Sequence, residues 1–339
     1  MKSFAKKALH ALIRFTYVAT GGYISYIRRP VRAETIAHLP RSVTTAKKFA
    51  VLLQGPLKLE DSFTLETVRL YKKTLLPSTH IIVSTWEDED EYTLQELRNL
   101  GAHVITAKQP ENQGILHVNY QITSVKNAIH LAEELGVEYL LKSRTDTRMY
   151  ATNIEEYLCG LLTTFPALDT YKQKYRILGL SLNSNLYRMY NISDLVMFGH
   201  ISDMTTFWDV ALDQRTTEPA RPKNTLREWS ELRMVETFLT SKYLEKIGRT
   251  LQWTVADSFK ALGENFIIID EQSLDLFWYK YGYWKEYRKT NYQKMKNDMY
   301  ITFRDWITLY SNGDNLSDIA EHAVELPFEA EITKKHDRN

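Results

Sequence analysis

Apolar and polar positions in the first half of the chain follow a pattern that predicts strands and helices in turn. Four short apolar runs have the length and composition of buried strands: residues 49–53, 80–84 and 102–106, and a run that begins at residue 139. Three segments between them have helical periodicity: residues 61–75, 91–100 and 119–135. Gly101 and Gly136 are expected to end the last two helices, because glycine readily adopts the left-handed conformation found there. This order predicts βαβ units, and therefore an α/β fold with a mixed, mainly parallel sheet flanked by helices.

The second half of the chain is less regular. Three apolar runs predict further strands, at residues 175–181, 195–200 and 266–269. Two helices are expected at residues 201–212 and 226–247, with a polar loop at residues 213–224 between them. Residues 277–287 are dense in aromatic side chains, which are expected to pack in the core or, alternatively, against a second domain or a membrane.

The N-terminal segment is basic and amphipathic. Residues 1–33 contain seven lysines or arginines and no acid: Lys2, Lys6, Lys7, Arg14, Arg28, Arg29 and Arg32. The apolar stretch is too interrupted for a membrane-spanning helix, so a short amphipathic helix over residues 4–19 is predicted. Such a helix suits the surface of an anionic membrane; a disordered or core-docked N-terminus is the alternative.

A division of the chain follows from these patterns. Residues 1–48 are predicted to form the amphipathic segment and a linker, and residues 49–210 a ligand-binding half with the parallel strands. Residues 211–290 are predicted to form a second half, and residues 291–339 a C-terminal extension.

Composition excludes some classes of function. The chain has 339 residues, 44% hydrophobic and 25% charged, which is ordinary for a globular protein. Its net charge of +1 argues against a dedicated nucleic-acid-binding protein. Cys159 is the single cysteine, so no intrachain disulfide forms, which is consistent with a reducing compartment. The first predicted strand is followed by neither of the glycine-rich phosphate-binding motifs of dinucleotide and nucleoside-triphosphate enzymes.

The most informative chemistry follows the fourth strand, where Arg144, Asp146 and Arg148 come within a few residues of each other. In open α/β sheets, ligands bind at the carboxyl ends of the strands. An acid framed by arginines at that place suits a phosphate ester held by a metal ion or by arginine. The alternative is a surface turn with a local Arg–Asp ion pair.

Several short motifs in a fixed order resemble those of the WavE lipopolysaccharide-synthesis family. They are LQGP at residues 53–56, IVSTW at 82–86, VNYQITS at 118–124, LKSRTD at 141–146, Ser193–Asp194 and Phe198–Gly199. The resemblance runs from about residue 49 to about residue 280. That family is similar to nucleotide-sugar glycosyltransferases of the GT-A type, in which a Rossmann-like half binds the nucleotide and a variable half binds the acceptor.

The resemblance implies a set of donor-binding residues: Gln54, Gly55, Ser84, Thr85, Trp86, Asn119, Gln121, Arg144, Asp146 and Arg148. The alternatives are a plain tight turn at Gly55, a core side chain at Trp86 and a helix N-cap at Asn119. In GT-A enzymes an acidic motif after the fourth strand holds a divalent cation against the diphosphate. Here Arg144 stands where the first acid of that motif is expected. Asp146 is therefore expected to hold Mg²⁺ or Mn²⁺ with water and phosphate, and the alternative is that Arg144 and Arg148 neutralise the diphosphate directly.

An inverting transferase needs a base that reaches the proton of the acceptor hydroxyl, directly or through one water. Asp194 and Glu236 are the candidates, with His200 and Asp257 as further ones. Asp194 follows a turn and precedes a buried strand, and burial of Glu236 would raise the pKa of its carboxyl. The alternatives are a structural histidine at His200 and a solvated or ion-paired Glu236.

Taken together, the sequence predicts a nucleotide-sugar-dependent glycosyltransferase that acts on a lipopolysaccharide core or another lipid-linked or surface-glycan acceptor. It is expected at the inner face of the cytoplasmic membrane, as a peripheral protein. The rivals are a nucleotidyl- or phosphotransferase on the same sheet, and a membrane-associated scaffold without catalysis.

Overall fold

The computed structural model describes residues 2–20, 27–36, 47–216, 225–280 and 300–312. Seven of its strands are β1 (Phe49–Gln54), β2 (His80–Trp86), β3 (His103–Ala107), β4 (Tyr139–Arg144), β6 (Ile177–Leu180), β7 (Met197–His200) and β8 (Phe266–Ile269). These seven form one sheet in the order β3-β2-β1-β4-β7-β6-β8. A separate antiparallel pair is made of β5 (Thr147–Met149) and β9 (Leu276–Trp278).

The directions of the strands bring most of their carboxyl ends to one edge of the sheet. The four strands of the first half pair in parallel, whereas β7 runs antiparallel to both β4 and β6. Because β6 pairs in parallel with β8, every strand of this sheet except β7 points its carboxyl end to the same edge. The predicted mixed, mainly parallel α/β sheet is confirmed.

The described ranges contain ten α-helices, several of which pack against this sheet. In chain order they are α1 (Lys2–Thr20), α2 (Phe63–Thr74), α3 (Glu91–Asn99), α4 (Val118–Glu134), α5 (Ile154–Thr164), α6 (Ile201–Trp208), α7 (Leu226–Glu231), α8 (Val235–Lys246), α9 (Val255–Asn265) and α10 (Phe303–Asn312). Strands β1, β4 and β8 are buried along nearly their whole length, which explains their continuous apolar runs. Gly101 and Gly136 follow α3 and α4 with φ of 75° and 67°, as expected of helix-ending glycines.

The prediction of one long helix over residues 226–247 is wrong, because the chain forms two helices, α7 and α8, with a break between them. Arg233 lies in the break with φ of 49°, a left-handed conformation that a continuous helix excludes. The break places Glu236 in the first turn of α8. The sequence pattern does not predict helix α9, although Thr254 and Asp257 mark its start: the Thr254 hydroxyl accepts a hydrogen bond from the Asp257 amide at 3.1 Å.

The second half of the chain completes the sheet of the first. Strand β8 pairs with β6, and apolar residues from both halves belong to one continuous core. The β5–β9 pair also joins the halves, because Thr147 is in register with Trp278. The aromatic residues of the 277–287 segment beyond residue 280 (Tyr281, Tyr283, Trp284 and Tyr287) lie outside the described residues, as do residues 291–299 and 313–339 of the predicted C-terminal extension.

Part of the segment predicted over residues 1–48 is held against the core beyond α1. Glu66 accepts a hydrogen bond from the Ala33 amide at 2.8 Å, and Arg29 pairs with Asp275. Residues 37–46 are not among the residues that the structure describes. Helix α1 includes the predicted residues 4–19. None of the helices in the described ranges has the length and apolarity needed to cross a bilayer.

Candidate active site at the carboxyl edge of the sheet

The turn after β4 brings Arg144 and Asp146 together. The guanidinium of Arg144 donates to both carboxylate oxygens of Asp146, Nε to Oδ1 at 2.8 Å and Nη2 to Oδ2 at 3.0 Å. The indole N–H of Trp278 also donates to Asp146 Oδ2, at 3.0 Å. Burial by itself would raise the pKa of Asp146, but the hydrogen bonds and charge of Arg144 and the indole N–H hold it below its usual value. Asp146 is therefore an ionised carboxylate with both oxygens engaged.

Lys142, two residues before Arg144, is fully buried within β4. Its ammonium group donates to the backbone carbonyl oxygen of Asp194 and lies over the ring of Trp208, 5.2 Å from the centroid. Burial lowers the pKa of Lys142 to about 8, against the opposing charge of Asp194. Sequence reasoning missed this residue, and the signal that could have found it is a charge inside an otherwise apolar strand.

Asp194 and Glu236 form a carboxyl pair beside Lys142. Asp194 precedes β7 at the carboxyl edge, is 8% exposed, and has no hydrogen-bond partner for Oδ2 among the described residues. Burial, reinforced by the negative charge of Asp194, raises the pKa of Glu236 to about 7, while Arg188 acts in the opposite direction. A carboxyl group with this pKa exchanges its proton near neutral pH, as a general base must.

Two amide side chains have buried oxygen atoms without a hydrogen-bond partner in the described structure, Gln54 Oε1 and Gln121 Oε1. Gln54 is in register with Arg144 on one side and Ser84 on the other, so the three side chains share a face of the sheet. Gln121 lies one turn before Ser124 of α4, whose hydroxyl bonds that of Ser84 at 2.8 Å. Because buried polar atoms are normally satisfied, these oxygens are suited to accept from a ligand or a water.

The other donor-binding candidates at the first two strand ends are occupied within the protein. Ser84 bonds Ser124, and the hydroxyl of Thr85 donates to Glu89 at 2.9 Å. Trp86 is 4% exposed and packs edge-on against Tyr120, which makes it a core side chain. Gly55 has φ of 118°, and its amide donates to the Ser84 carbonyl oxygen. In the described structure these residues make contacts within the protein at this edge of the sheet.

Asn119 also has a structural role in the described chain. Its amide nitrogen donates to the carbonyl oxygens of Asn112 and Asp213, and its oxygen accepts from the Asp213 amide at 2.7 Å. It does not cap α4, whose N-cap is His117, and both ends of its side-chain amide are engaged within the protein. Asn119 ties the loop before α4 to the loop after α6.

Arg148 does not lie on the same side of the turn as Arg144. The chain turns at residues 145–146, and Arg148 on β5 is 2% exposed. Its guanidinium donates to Thr67 Oγ1 at 2.9 Å and to the carbonyl oxygens of Phe63 and Val31, at 2.8 and 2.9 Å. The expected pairing of Arg148 with phosphate is therefore wrong, since the turn directs this side chain toward α2 and the N-terminal segment.

The two further base candidates are structural as well. His200 is in register with Tyr139 at the start of β4, so it lies at the opposite edge of the sheet from Asp146. Its ring caps α6 by accepting from the Ser202 amide. Asp257 pairs with Arg249 at 2.8 Å in a buried network, and burial of its carboxyl is outweighed by hydrogen bonds that lower its pKa.

The donor set does not fit the divalent cation expected at Asp146. Both oxygens of Asp146 already accept from Arg144 and Trp278. Across the described ranges, no group of three or more histidine, cysteine or acidic side chains is placed to hold a metal ion. Arg144, in contrast, is 30% exposed and lies at the edge where sheets of this kind bind their ligands. Charge neutralisation by side-chain cations suits this geometry better than a metal bound at Asp146.

The comparison with protein families gives one match. Residues 49–335 match the model of the family described as WavE lipopolysaccharide synthesis, which is most of the chain. No curated protein matches the chain significantly.

Three solved structures that are similar to this chain have 11–12% identity to it. A protein assigned as a glucose-1-phosphate thymidylyltransferase from Bacillus anthracis, in complex with a sucrose, aligns with a TM-score of 0.34 and 12% identity over 59% of this chain and 84% of its own. A cytidylyltransferase from Leptospira borgpetersenii serovar Hardjo-bovis aligns with a TM-score of 0.31 and 11% identity, over 49% and 66%. A mannose-1-phosphate geranyltransferase from Thermus thermophilus aligns with a TM-score of 0.29 and 12% identity, over 48% and 63%.

Proposed function

The chain belongs to the WavE family of lipopolysaccharide synthesis, and from that premise we propose that it is a glycosyltransferase of GT-A type. It moves a sugar from a nucleotide-sugar donor to a lipopolysaccharide core or another lipid-linked or surface-glycan acceptor. The observation that carries this proposal is the Asp194–Glu236 pair at the edge where parallel strands end, with Asp194 hydrogen-bonded to Lys142, two residues before Arg144 on β4. Such an edge is where open α/β sheets bind their ligands.

The roles follow from charge and pKa. The carboxylate of Glu236 removes the proton of the acceptor hydroxyl, and Asp194 keeps the pKa of Glu236 near neutrality. The acceptor oxygen then forms a bond to the anomeric carbon of the sugar. The bond from that carbon to the diphosphate oxygen breaks, and the nucleoside diphosphate leaves with the electron pair. Arg144, held in orientation by Asp146, matches the negative charge that develops on the leaving group.

The donor's nucleoside is placed against Gln54 and Gln121. Their buried amide oxygens accept hydrogen bonds, so they favour a base or ribose that presents N–H or O–H donors. No step is assigned to a metal ion, because both carboxylate oxygens of Asp146 accept hydrogen bonds from Arg144 and Trp278.

Titration of the purified protein with UDP-, GDP- and CMP-sugars, with and without Mn²⁺, tests the proposal. We expect one donor class to bind and to be consumed when a lipopolysaccharide-core acceptor is added, as measured by calorimetry and by release of nucleoside diphosphate or monophosphate. Lys72→Met, which removes an exposed lysine, is the matched control and should behave as wild type. Turnover of a nucleoside triphosphate with a sugar phosphate would establish the nucleotidyltransferase instead, and no binding of any donor would favour the scaffold.

We also propose that α1 docks on the anionic inner face of the cytoplasmic membrane. Leu9, Leu12 and Phe15 are 41%, 60% and 69% exposed. At about 100° per residue, Leu12 lies between the other two and about 140–160° around the helix from Lys7 and Arg14. Exposed apolar side chains opposite a cationic side, in a segment without acids, match anionic lipid in both charge and polarity. The segment after residue 26 is fastened to the core through Ala33 and Arg29, so docking of α1 would hold the enzyme near its acceptor.

Vesicle sedimentation tests this membrane proposal. The full chain should sediment with vesicles containing phosphatidylglycerol and not with phosphatidylcholine alone, and binding should weaken in high salt. Leu12→Glu with Phe15→Glu should reduce binding at least about tenfold, because two charges replace buried apolar area. Leu168→Glu, which changes an exposed leucine outside α1, is the control. Equal sedimentation of the double variant and wild type would overturn the proposal.

A further inference from the structure

We propose that Lys142 is a positioning residue, whose buried ammonium group holds the Asp194 main chain so that the Asp194 carboxylate remains beside Glu236. The catalytic consequence rests on the proposed function, whereas the buried ammonium group can be tested without turnover.

A charged lysine in the centre of a sheet needs a physical reason. Lys142 is fully buried and lies in register between Leu52 of β1 and Met197 of β7, both apolar. Moving an ammonium group out of water costs several kcal/mol unless hydrogen bonds and charges compensate. Its compensation consists of the Asp194 carbonyl oxygen and the ring of Trp208. A position of β4 that would otherwise be apolar is therefore occupied by a lysine that bonds the carbonyl group of Asp194.

The backbone around Asp194 is held at further points. The Ser193 amide donates to Ser184 Oγ at 2.9 Å, and the Leu195 amide donates to Ser193 Oγ at 3.3 Å. Lys142 adds the carbonyl of Asp194 itself, so the main chain is fixed before, at and after this residue. The carboxylate is buried, and its Oδ2 has no partner within the described chain. The backbone therefore has the larger part in setting its direction.

The charges that face Lys142 define how its anchoring role depends on pH. Asp194 favours the ammonium form from the turn before β7, as does Asp146 from the end of β4, while Arg144 opposes it. Glu236 of α8 interacts with the same Asp194 carboxylate. Because the pKa of Lys142 is about 8, the ammonium form predominates at neutral pH and is lost in mildly alkaline solution. When the ammonium group loses its proton, its hydrogen bond to the Asp194 carbonyl weakens, so the rate of transfer is expected to fall in alkaline solution.

Two substitutions separate charge from packing. Lys142→Met keeps most of the side-chain volume and removes the hydrogen bond to Asp194, and Lys142→Arg keeps a cation that does not lose its proton in mildly alkaline solution. Lys72→Met is the matched control, because Lys72 also donates to a backbone carbonyl, that of Gly101 at 3.1 Å, but at the surface. For Lys142→Met we expect kcat to fall about 100-fold, with donor binding changed less than about threefold, since misplacement of a catalytic group acts on the chemical step.

The pH profile of kcat distinguishes positioning from mere stability. Wild type should lose activity above a pH of about 8. The Lys142→Arg variant should keep whatever activity it has at neutral pH up to a pH of about 10, because its guanidinium stays protonated. A Lys142→Met variant with wild-type kcat, or a wild-type profile unchanged in Lys142→Arg, would overturn the proposal.

Thermal melting tests the buried charge without any turnover. The folded pKa of Lys142, about 8, is below its ordinary 10.5, so the unfolded chain binds more protons between these values. Wild type should therefore gain stability relative to Lys142→Met as pH rises from about 8 to about 10, by at least about 2 °C in Tm. A difference that does not depend on pH would refute the buried ammonium group. If no donor binds to wild type while this difference appears, the proposed function fails and the buried ammonium group of Lys142 stands.

Discussion

Glu236→Gln is expected to lower kcat for sugar transfer by about 10²–10⁴-fold, the usual contribution of a general base. Glutamine keeps the shape of the side chain and cannot accept the proton of the acceptor hydroxyl. Donor binding should stay within about threefold, because the proposed role of Glu236 is toward the acceptor and not the diphosphate. Glu245→Gln is the matched control: it lies on the same helix, is ion-paired at the surface, and should leave kcat unchanged.

The pH dependence of transfer has a definite sign. The base works as a carboxylate, so wild-type activity should fall as pH decreases through about 7. A half-maximal point near 4.5, the ordinary pKa of glutamate, would show that the group responsible is not this desolvated carboxyl.

Stability should change in the opposite direction from activity. The folded pKa of Glu236 lies above 4.5, so the folded protein binds more protons than the unfolded chain between pH 4.5 and about 7. Its stability contribution is therefore lost as pH rises through this window. Glu236→Gln has no such loss and should melt higher than wild type at a pH of about 8, by at least about 2 °C, and close to wild type at a pH of about 4.5. A lower Tm for the variant under the alkaline condition would contradict the assignment of a raised pKa to this carboxyl.

Arg144→Met is expected to lower kcat by about 10²–10³-fold, the cost of removing one donor that stabilises charge in the transition state. Arg144→Lys should recover little of this loss, because lysine cannot reproduce the two-pronged pairing with Asp146. Arg98→Met is the control, since Arg98 pairs with Glu91 on an exposed helix.

Asp146→Asn then decides between arginine and metal. If Asp146 only orients Arg144, Asp146→Asn should cost about tenfold, less than Arg144→Met, and chelation with EDTA should change wild-type activity less than about threefold. A metal ligand predicts the reverse order: Asp146→Asn would be the more damaging change, and EDTA would abolish transfer unless Mn²⁺ were restored. Steady-state kinetics of the three proteins with and without EDTA distinguish these outcomes.

The turn after β4 shows how far sequence reasoning extends toward the site. Arg144 and Asp146 can both be singled out from the sequence, since a charged pair after an apolar strand is a local signal. Arg148, four residues after Arg144, carries the same signal, but its side chain contacts α2, because the chain turns at residues 145–146. Spacing along the sequence does not show where such a turn directs the next side chain.

Lys142 and Trp278 illustrate what sequence reasoning misses. Lys142 is visible as a lysine in a buried strand, but its partner is the carbonyl of Asp194, distant in the sequence. Trp278 belongs to an aromatic segment expected to pack in the core, and its N–H bonds Asp146 across the β5–β9 pair. Arg188 gives no signal at all, because a single arginine in an irregular segment looks like any surface cation.

The sequence alone predicts the order β1-α2-β2-α3-β3-α4-β4, and with it the edge of the sheet where a ligand would bind, because apolar periodicity and glycine stops are local properties of the chain. Which charges meet at that edge depends on the tertiary structure. The pKa of Glu236 depends on burial and on Asp194, and the break before α8 places Glu236 at the start of its helix. Burial and Coulomb interactions act through space, so groups far apart in the chain acquire their chemistry only when the fold brings them into contact.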